Sequence, residues 1–168
     1  VEFESDLDKA LELTAANLSL LLIEGDLVVS TAESCTGGWI AQVLTSLAGS
    51  SAWFDTGFVT YSNEAKQRLL NVPADYFYED ACGAVSEETV KAMTHGAIKN
   101  SLARVAVAVS GVAGPTGGSI EKPVGTVWIA WQWDEKTLAQ CFQFPGDRRA
   151  IRAATVAKAL EGLIDLLS

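Results

Sequence analysis

The stretch that most limits the fold is Leu27 to Gly38. Leu27-Val28-Val29-Ser30-Thr31 is a strand-like run rich in β-branched residues. Gly37-Gly38 breaks it, and Trp39 to Leu47 carries apolar residues at helical spacing. A strand that turns directly into a helix points to an α/β layered fold. Ser34, Cys35 and Thr36 fall on the turn. Such a turn aims backbone N–H groups and the positive end of a helix dipole at one place. It can bind an anion, or shelter the oxyanion formed when a nucleophile attacks a carbonyl. It can equally be an ordinary strand-to-helix connection, with Ser34 or Thr36 as the N-cap.

The remaining elements follow from spacing and punctuation. Residues 5–24 read as an amphipathic helix with Leu7, Leu11, Leu18, Leu21 and Leu22 at three- and four-residue steps, ended by Gly25. Residues 48–51 form a loop, and Ala52 to Tyr61 is extended. Asn63 caps a short helix that ends near Asn71, before Pro73, and residues 72–84 form an irregular connection. Ser86-Glu87-Glu88 opens a helix to about Asn100. Ala103 to Ser110 is a nearly continuous apolar run, suited to a strand covered on both faces. A glycine-rich loop spans 111–119. Val124–Trp133 and Thr137–Phe144 form a hairpin across Asp134-Glu135-Lys136, and Asp147 caps a closing helix, Arg148 to about Leu167. This order gives a three-layer α/β/α sandwich with a mixed sheet, parallel crossovers first and an antiparallel hairpin late, in one domain over 1–168.

Charge and composition narrow the function. A net charge of −9 with no basic stripe argues against a nucleic-acid partner. No apolar run approaches the ~20 residues that span a bilayer, and the N-terminus lacks the basic start of a signal peptide. The cysteines, Cys35, Cys82 and Cys141, include no CxxC pair. That pattern argues against a disulfide framework or zinc site and favours a reducing cytoplasm. His95 is the only histidine. It sits at a helical position and reads as structural. The 5 tryptophans exceed what a small core needs; some can face a partner subunit, though packing along the edge strands is the simpler account.

Three places can carry chemistry. The 34–38 turn and the 111–119 loop both follow strands, at the sheet edge where α/β domains place ligands. The loop matches neither GxGxxG nor a Walker sequence, and its plain alternative is a flexible connection. Lys66 falls in the first turn of a short helix, where the dipole and burial both loosen its proton. It can serve a serine as general base, or it can simply pair with a carboxylate in solvent. Cys35 is the rival nucleophile, since a helix N-terminus can lower a thiol's pKa.

Taken together, the chain resembles the nicotinamide-nucleotide amidase family, the domain found as the C-terminal half of competence/damage-inducible protein CinA and also as a stand-alone protein. The match is carried by Thr31-Ala32-Glu33-Ser34-Cys35-Thr36-Gly37-Gly38, Gly57 to Lys66, Gly83-Ala84-Val85-Ser86, Ser110 to Gly118, Lys122 to Val127, and Phe144-Pro145-Gly146-Asp147-Arg148. The resemblance implies hydrolysis of the carboxamide of nicotinamide mononucleotide to nicotinate mononucleotide and ammonia, without cofactor or metal. It implies Ser34 as nucleophile, Lys66 as general base and Tyr61 as an orienting or proton-relaying group. Cys35, Thr36, Gly37 and Gly38 then supply oxyanion donors. Ser110, Gly111, Gly114, Thr116, Gly117, Gly118 and Arg148 surround the substrate, with the loop or Arg148 on its phosphate. A homo-oligomer, dimer or trimer, is expected. The alternative is a nucleotide-binding regulatory or interaction module that keeps the pocket without turnover.

Overall fold

The computed structural model describes residues 5–168; residues 1–4, at the start of the expected domain and N-terminus, lie outside the described residues. The helices are α1 (Asp6–Glu24), α2 (Trp39–Thr45), α3 (Asn63–Leu70), α4 (Glu87–Lys99) and α5 (Arg148–Leu167). The strands are β1 (Val29–Glu33), β2 (Phe54–Val59), β3 (Val105–Gly111), β4 (Thr126–Trp133) and β5 (Lys136–Gln143). They form one sheet in the order β2-β1-β3-β4-β5. β1 runs parallel to β2 and β3, and β4 and β5 add antiparallel.

Helices cover both faces, so the expected three-layer mixed-sheet sandwich is the observed one. On one face Val29, Val105, Val107, Val109, Ile129 and Trp131 pack with Leu11, Leu18 and Leu22 of α1, Ile40 and Leu44 of α2, and Ile151, Leu160 and Leu163 of α5. On the other, Ala32, Ala106, Ala108 and Ala130 meet Val90, Met93 and Ala97 of α4. The pleat explains the division, because successive side chains alternate faces. In β3 the valines go one way and the small alanines the other. The alanines let α4 lie close to the sheet.

Several boundaries differ from the sequence reading. β1 begins at Val29 and runs to Glu33, two residues nearer the turn. Short 3-10 turns occupy Ser50–Ala52, which takes in the first residue read as extended, and Ala74–Phe77, within the segment read as an irregular connection. α3 is capped by Ser62, whose Oγ accepts from the Ala65 N–H, and not by Asn63. Gly25 closes α1 in a right-handed conformation, and the left-handed residue is Asp26. The tryptophans are used inside the fold. Trp53 and Trp131 are buried, Trp131 Nε1 donates to the Ala159 carbonyl, Trp133 packs on the valine face and Trp128 on the alanine face. They therefore give no support to a subunit contact. Among the described residues, no helix is long and apolar enough to cross a membrane.

Gly96 marks the tightest approach between α3 and α4: a Cβ there would lie 2.0 Å from the Leu70 carbonyl oxygen. Gly96→Ala sets a helix-propensity gain of about 1 kcal/mol against overpacking of about 1–3 kcal/mol or more. The contact is with backbone, which no rotamer change relieves. We expect a net loss of about 2 kcal/mol in urea unfolding, opposite in sign to the propensity effect.

Candidate active site

The site is set by the last two residues of the β1 pleat and the one that follows. Thr31 and Glu33 share the face of Val29, and Ala32 and Ser34 share the other. Glu33 pairs with Val109 in the parallel ladder, and the Ser34 N–H continues it by donating to the Val109 carbonyl at 3.1 Å. Ser110, the next residue of β3, follows Ala106 and Ala108 on the alanine face. Ser34 and Ser110 thus stand side by side at the carboxyl ends of neighbouring parallel strands. This is also where the strand order reverses, the position at which α/β sheets bind ligands.

Lys66 rises from α3 to meet Ser34. Its side chain is 1% exposed. Nζ lies 3.0 Å from Ser34 Oγ and donates to the carbonyls of Thr60 (2.8 Å) and Tyr61 (3.2 Å). Among the described residues no carboxylate pairs with it. The alternative of a solvated, ion-paired lysine is therefore overturned. Burial without a counter-charge disfavours the ammonium and lowers the pKa to about 8. In the neutral amine, the two carbonyls take both N–H groups and leave the lone pair for the Ser34 hydroxyl.

The turn itself differs from the expected arrangement. Neither Ser34 nor Thr36 caps α2. The N-cap residue is Gly38, at φ 100°, and the capping group is the buried Glu33 carboxylate. Its oxygens accept from the Ile40 N–H (2.9 Å), the Ala41 N–H (3.0 Å) and Thr36 Oγ1 (2.6 Å). Burial raises the Glu33 pKa above the ordinary carboxyl value, and these donors offset part of the rise. The two backbone N–H groups can only donate, so they favour the ionised carboxylate. The dipole end of α2 is thus occupied by Glu33 and does not point at Ser34. Gly37 N–H is also engaged, closing a turn onto the Ser34 carbonyl at 3.1 Å. The N–H groups of Cys35 and Thr36 donate to no acceptor among the described residues.

A cleft of about 330 Å³ collects Ser34, Cys35, Tyr61, Lys66, Ser110, Gly111, Gly114, Thr116, Gly117, Gly118 and Arg148. Thr36, Gly37 and Gly38 do not line it. They border a second cleft, of about 430 Å³, with Trp39 and Arg152. In the glycine-rich loop, Gly114, Gly117 and Gly118 hold positive φ, and a Cβ on Gly114 would lie 2.5 Å from Val124 Cγ1. The loop N–H groups of Ala113, Gly114, Thr116, Gly117 and Gly118 have no acceptor among the described residues, so they are available to an anion. Arg148 bridges the cleft, donating to the Gly114 carbonyl (2.7 Å) and to Tyr61 Oη (3.1 Å). Tyr61 touches the Ser34–Lys66 pair only through its carbonyl; its hydroxyl faces Arg148. Burial pushes the Cys35 thiol up to about 12, against the expectation of a lowered value. His95 is exposed on α4, away from the cleft.

The sequence reading missed Glu33 and Arg152. Glu33 carried a signal: a carboxylate at an inward position of a buried strand. Arg152 also carried one, as it lies one turn after Arg148 on the same helix face. Asn63, Ala84 and Val85 also line the cleft.

The CinA C-terminal domain family model matches residues 11–167. The chain is 57% identical over 138 residues to nicotinamide-nucleotide amidohydrolase PncC of Pseudomonas putida, covering 82% of this chain and 85% of that protein. It is 53% identical to the protein of the same name from Escherichia coli K12, with 80% and 81% covered. A crystal structure of competence/damage inducible protein CihA from Agrobacterium tumefaciens superposes with a TM-score of 0.90 at 45% identity, covering 100% and 99% of the two chains.

Glu33→Gln places an amide NH2 among N–H donors in a buried site. We expect a loss of about 2–3 kcal/mol of stability, because hydrogen bonds to a buried charge are removed and a donor is left unpaired. Denaturant unfolding checks this, and amide exchange at Ile40 and Ala41 should accelerate.

Proposed function

The chain belongs to the CinA C-terminal domain family, and from that premise we propose that it hydrolyses the carboxamide of nicotinamide mononucleotide to nicotinate mononucleotide and ammonia. The observation that carries this reading is the buried Lys66 Nζ 3.0 Å from Ser34 Oγ, with no counter-charge. An amide is a poor electrophile, so its hydrolysis needs both an activated nucleophile and stabilisation of the oxyanion.

Neutral Lys66 takes the Ser34 proton as Oγ attacks the carboxamide carbon. The developing oxyanion is met by the Cys35 and Thr36 N–H groups. The Lys66 ammonium passes its proton to the amine nitrogen, the C–N bond breaks and ammonia leaves an acyl-Ser34. Water then attacks that ester, giving a proton to Lys66 and releasing the carboxylate as Ser34 regains its hydrogen. The free N–H groups of residues 113–118 and the Arg148 guanidinium take the ribose phosphate. Ser110 faces the reacting end beside Ser34. Tyr61 positions Lys66 through its carbonyl and Arg148 through its hydroxyl. We read residues 1–168 as one such domain, acting in pyridine-nucleotide salvage in the cytoplasm as a homo-oligomer, with no nucleic-acid or membrane partner.

Release of ammonia from nicotinamide mononucleotide tests the reading against a binding module without turnover. Ser34→Ala should lower kcat by about 10³-fold or more with the fold intact, whereas Cys35→Ala should keep most of it. Activity for Ser34→Ala beside a dead Cys35→Ala would reverse the assignment.

The pH dependence follows from Lys66. The active form is the neutral amine, so the rate should rise with pH and level off above an apparent pKa of about 8. Lys66→Arg keeps a cation that cannot give up its proton and should cost about 10²- to 10⁴-fold. Near-wild-type turnover with an unshifted profile in that variant would place the base elsewhere. Because serine–lysine chemistry needs no Lewis acid, dialysis against a strong chelator should leave the rate unchanged. A loss restored by one divalent ion would overturn that point.

A further inference from the structure

Arg152 reaches the nucleophile turn from the far side, 117 residues away in sequence from Cys35. Its Nε donates to the Cys35 carbonyl at 3.0 Å and its Nη2 to the Thr36 carbonyl at 2.9 Å. The guanidinium also stacks over the Trp39 ring, 5.5 Å from its centroid. No carboxylate among the described residues pairs with it. Its charge is therefore directed at two backbone carbonyls, in a chain whose net charge is −9.

A trans peptide unit places its C=O and N–H on opposite sides. The Cys35 carbonyl belongs to the unit that carries the Thr36 N–H, so donation to that oxygen holds and polarises the free Thr36 N–H. The Thr36 carbonyl belongs to the unit that carries the Gly37 N–H, which donates to the Ser34 carbonyl at 3.1 Å. The Ser34 carbonyl in turn shares its unit with the Cys35 N–H, the other free donor. Hydrogen bonds in series polarise one another, and more so where water is excluded. Both donations thus end on an N–H without an acceptor among the described residues: one belongs to Cys35, which lines the Ser34 cleft, and the other to Thr36, the residue after it.

We propose that Arg152 is a positioning residue for the reaction, fixing and polarising the Cys35 and Thr36 N–H groups as the oxyanion site through the two carbonyls it holds. It touches neither substrate nor Ser34. This rests on the reading of Ser34 as a nucleophile. It goes beyond that reading in making the oxyanion site depend on a charge behind the turn.

The test uses chemical rescue, because Arg152 lines the second cleft and its place is open to solvent. Arg152→Ala should lower kcat about 10- to 10²-fold, somewhat less than deletion of an oxyanion donor, with KM changed less than two-fold. Millimolar guanidinium chloride should restore much of the rate without moving Tm, whereas sodium chloride at equal ionic strength should not. Arg152→Lys keeps the stem over Trp39 but cannot bridge both oxygens. It should be similarly slow, near wild-type in Tm and insensitive to guanidinium, and it serves if the alanine variant does not fold. A second readout is phosphonylation of Ser34 by a fluorophosphonate, in which the Oγ–P bond forms, fluoride leaves and the proton passes to Lys66. That step uses the same oxyanion site without nicotinamide mononucleotide and should show the same loss and rescue. Wild-type protein that is labelled on Ser34 but releases no ammonia would refute the substrate reading and leave this proposal to the labelling rates. Unchanged rates in both variants, a loss that tracks Tm without rescue, or a wild-type Ser34 that is never labelled would each overturn it.

Discussion

The architecture of the site depends on one step of the β1 pleat. Glu33 and Ser34 are neighbours in sequence, and alternation sends them to opposite faces of the sheet. The carboxylate is then spent on the N-terminus of α2, and the hydroxyl is delivered to Lys66. The parallel ladder fixes the phase of this step, with Glu33 opposite Val109 and the Ser34 N–H on the Val109 carbonyl. A one-residue slip would exchange the two side chains and put the carboxylate beside the amine. The pair would then be a buried salt bridge, with the lysine held protonated.

Keeping the acid and the amine apart explains how a lysine can give up its proton well below the usual lysine range in a protein this acidic. Lys66 is surrounded by carbonyls and a hydroxyl and by no carboxylate. Its burial therefore acts on its pKa without the opposing pull of an ion pair. Glu33, equally buried, is balanced by N–H donors and not by a cation. Each ionisable group has its own dipolar solvent built from backbone, and the sheet lies between them.

Much of this was legible in the sequence. Asp147 and Ser86 announced their helices, and Asp134-Glu135 announced the hairpin. The alternation of alanine and valine in Ala103 to Ser110 announced a strand covered on both faces. Ser34, Lys66, Ser110, Arg148 and the glycine-rich loop do meet in one cleft. What failed to show depended on direction and not on residue type. The cap of α2 comes from Glu33, seven and eight residues before the N–H groups it satisfies. Local capping rules, which look within about three residues, pointed to Ser34 and Thr36 instead. The Thr36 side chain turns back to Glu33, and Gly37 and Gly38 border another cleft, because Gly37 closes a tight turn on the Ser34 carbonyl. Tyr61 was singled out for its hydroxyl, and the structure uses its carbonyl on Lys66. The tryptophans looked surplus only because the number of walls they line, on two sheet faces, cannot be counted from composition.

Arg148 has a consequence for how the cleft takes up charge. In this structure its guanidinium ties the glycine-rich loop, through the Gly114 carbonyl, to Tyr61 on the opposite wall. An anion that draws the guanidinium to itself must compete with that strap. The affinity for such a ligand is therefore the difference between two sets of hydrogen bonds and not the sum of one. An anion that took both ends of the guanidinium would leave the Tyr61 hydroxyl and the Gly114 carbonyl to find other partners. Recognition of charge and the tie between the two walls are thus coupled through one side chain.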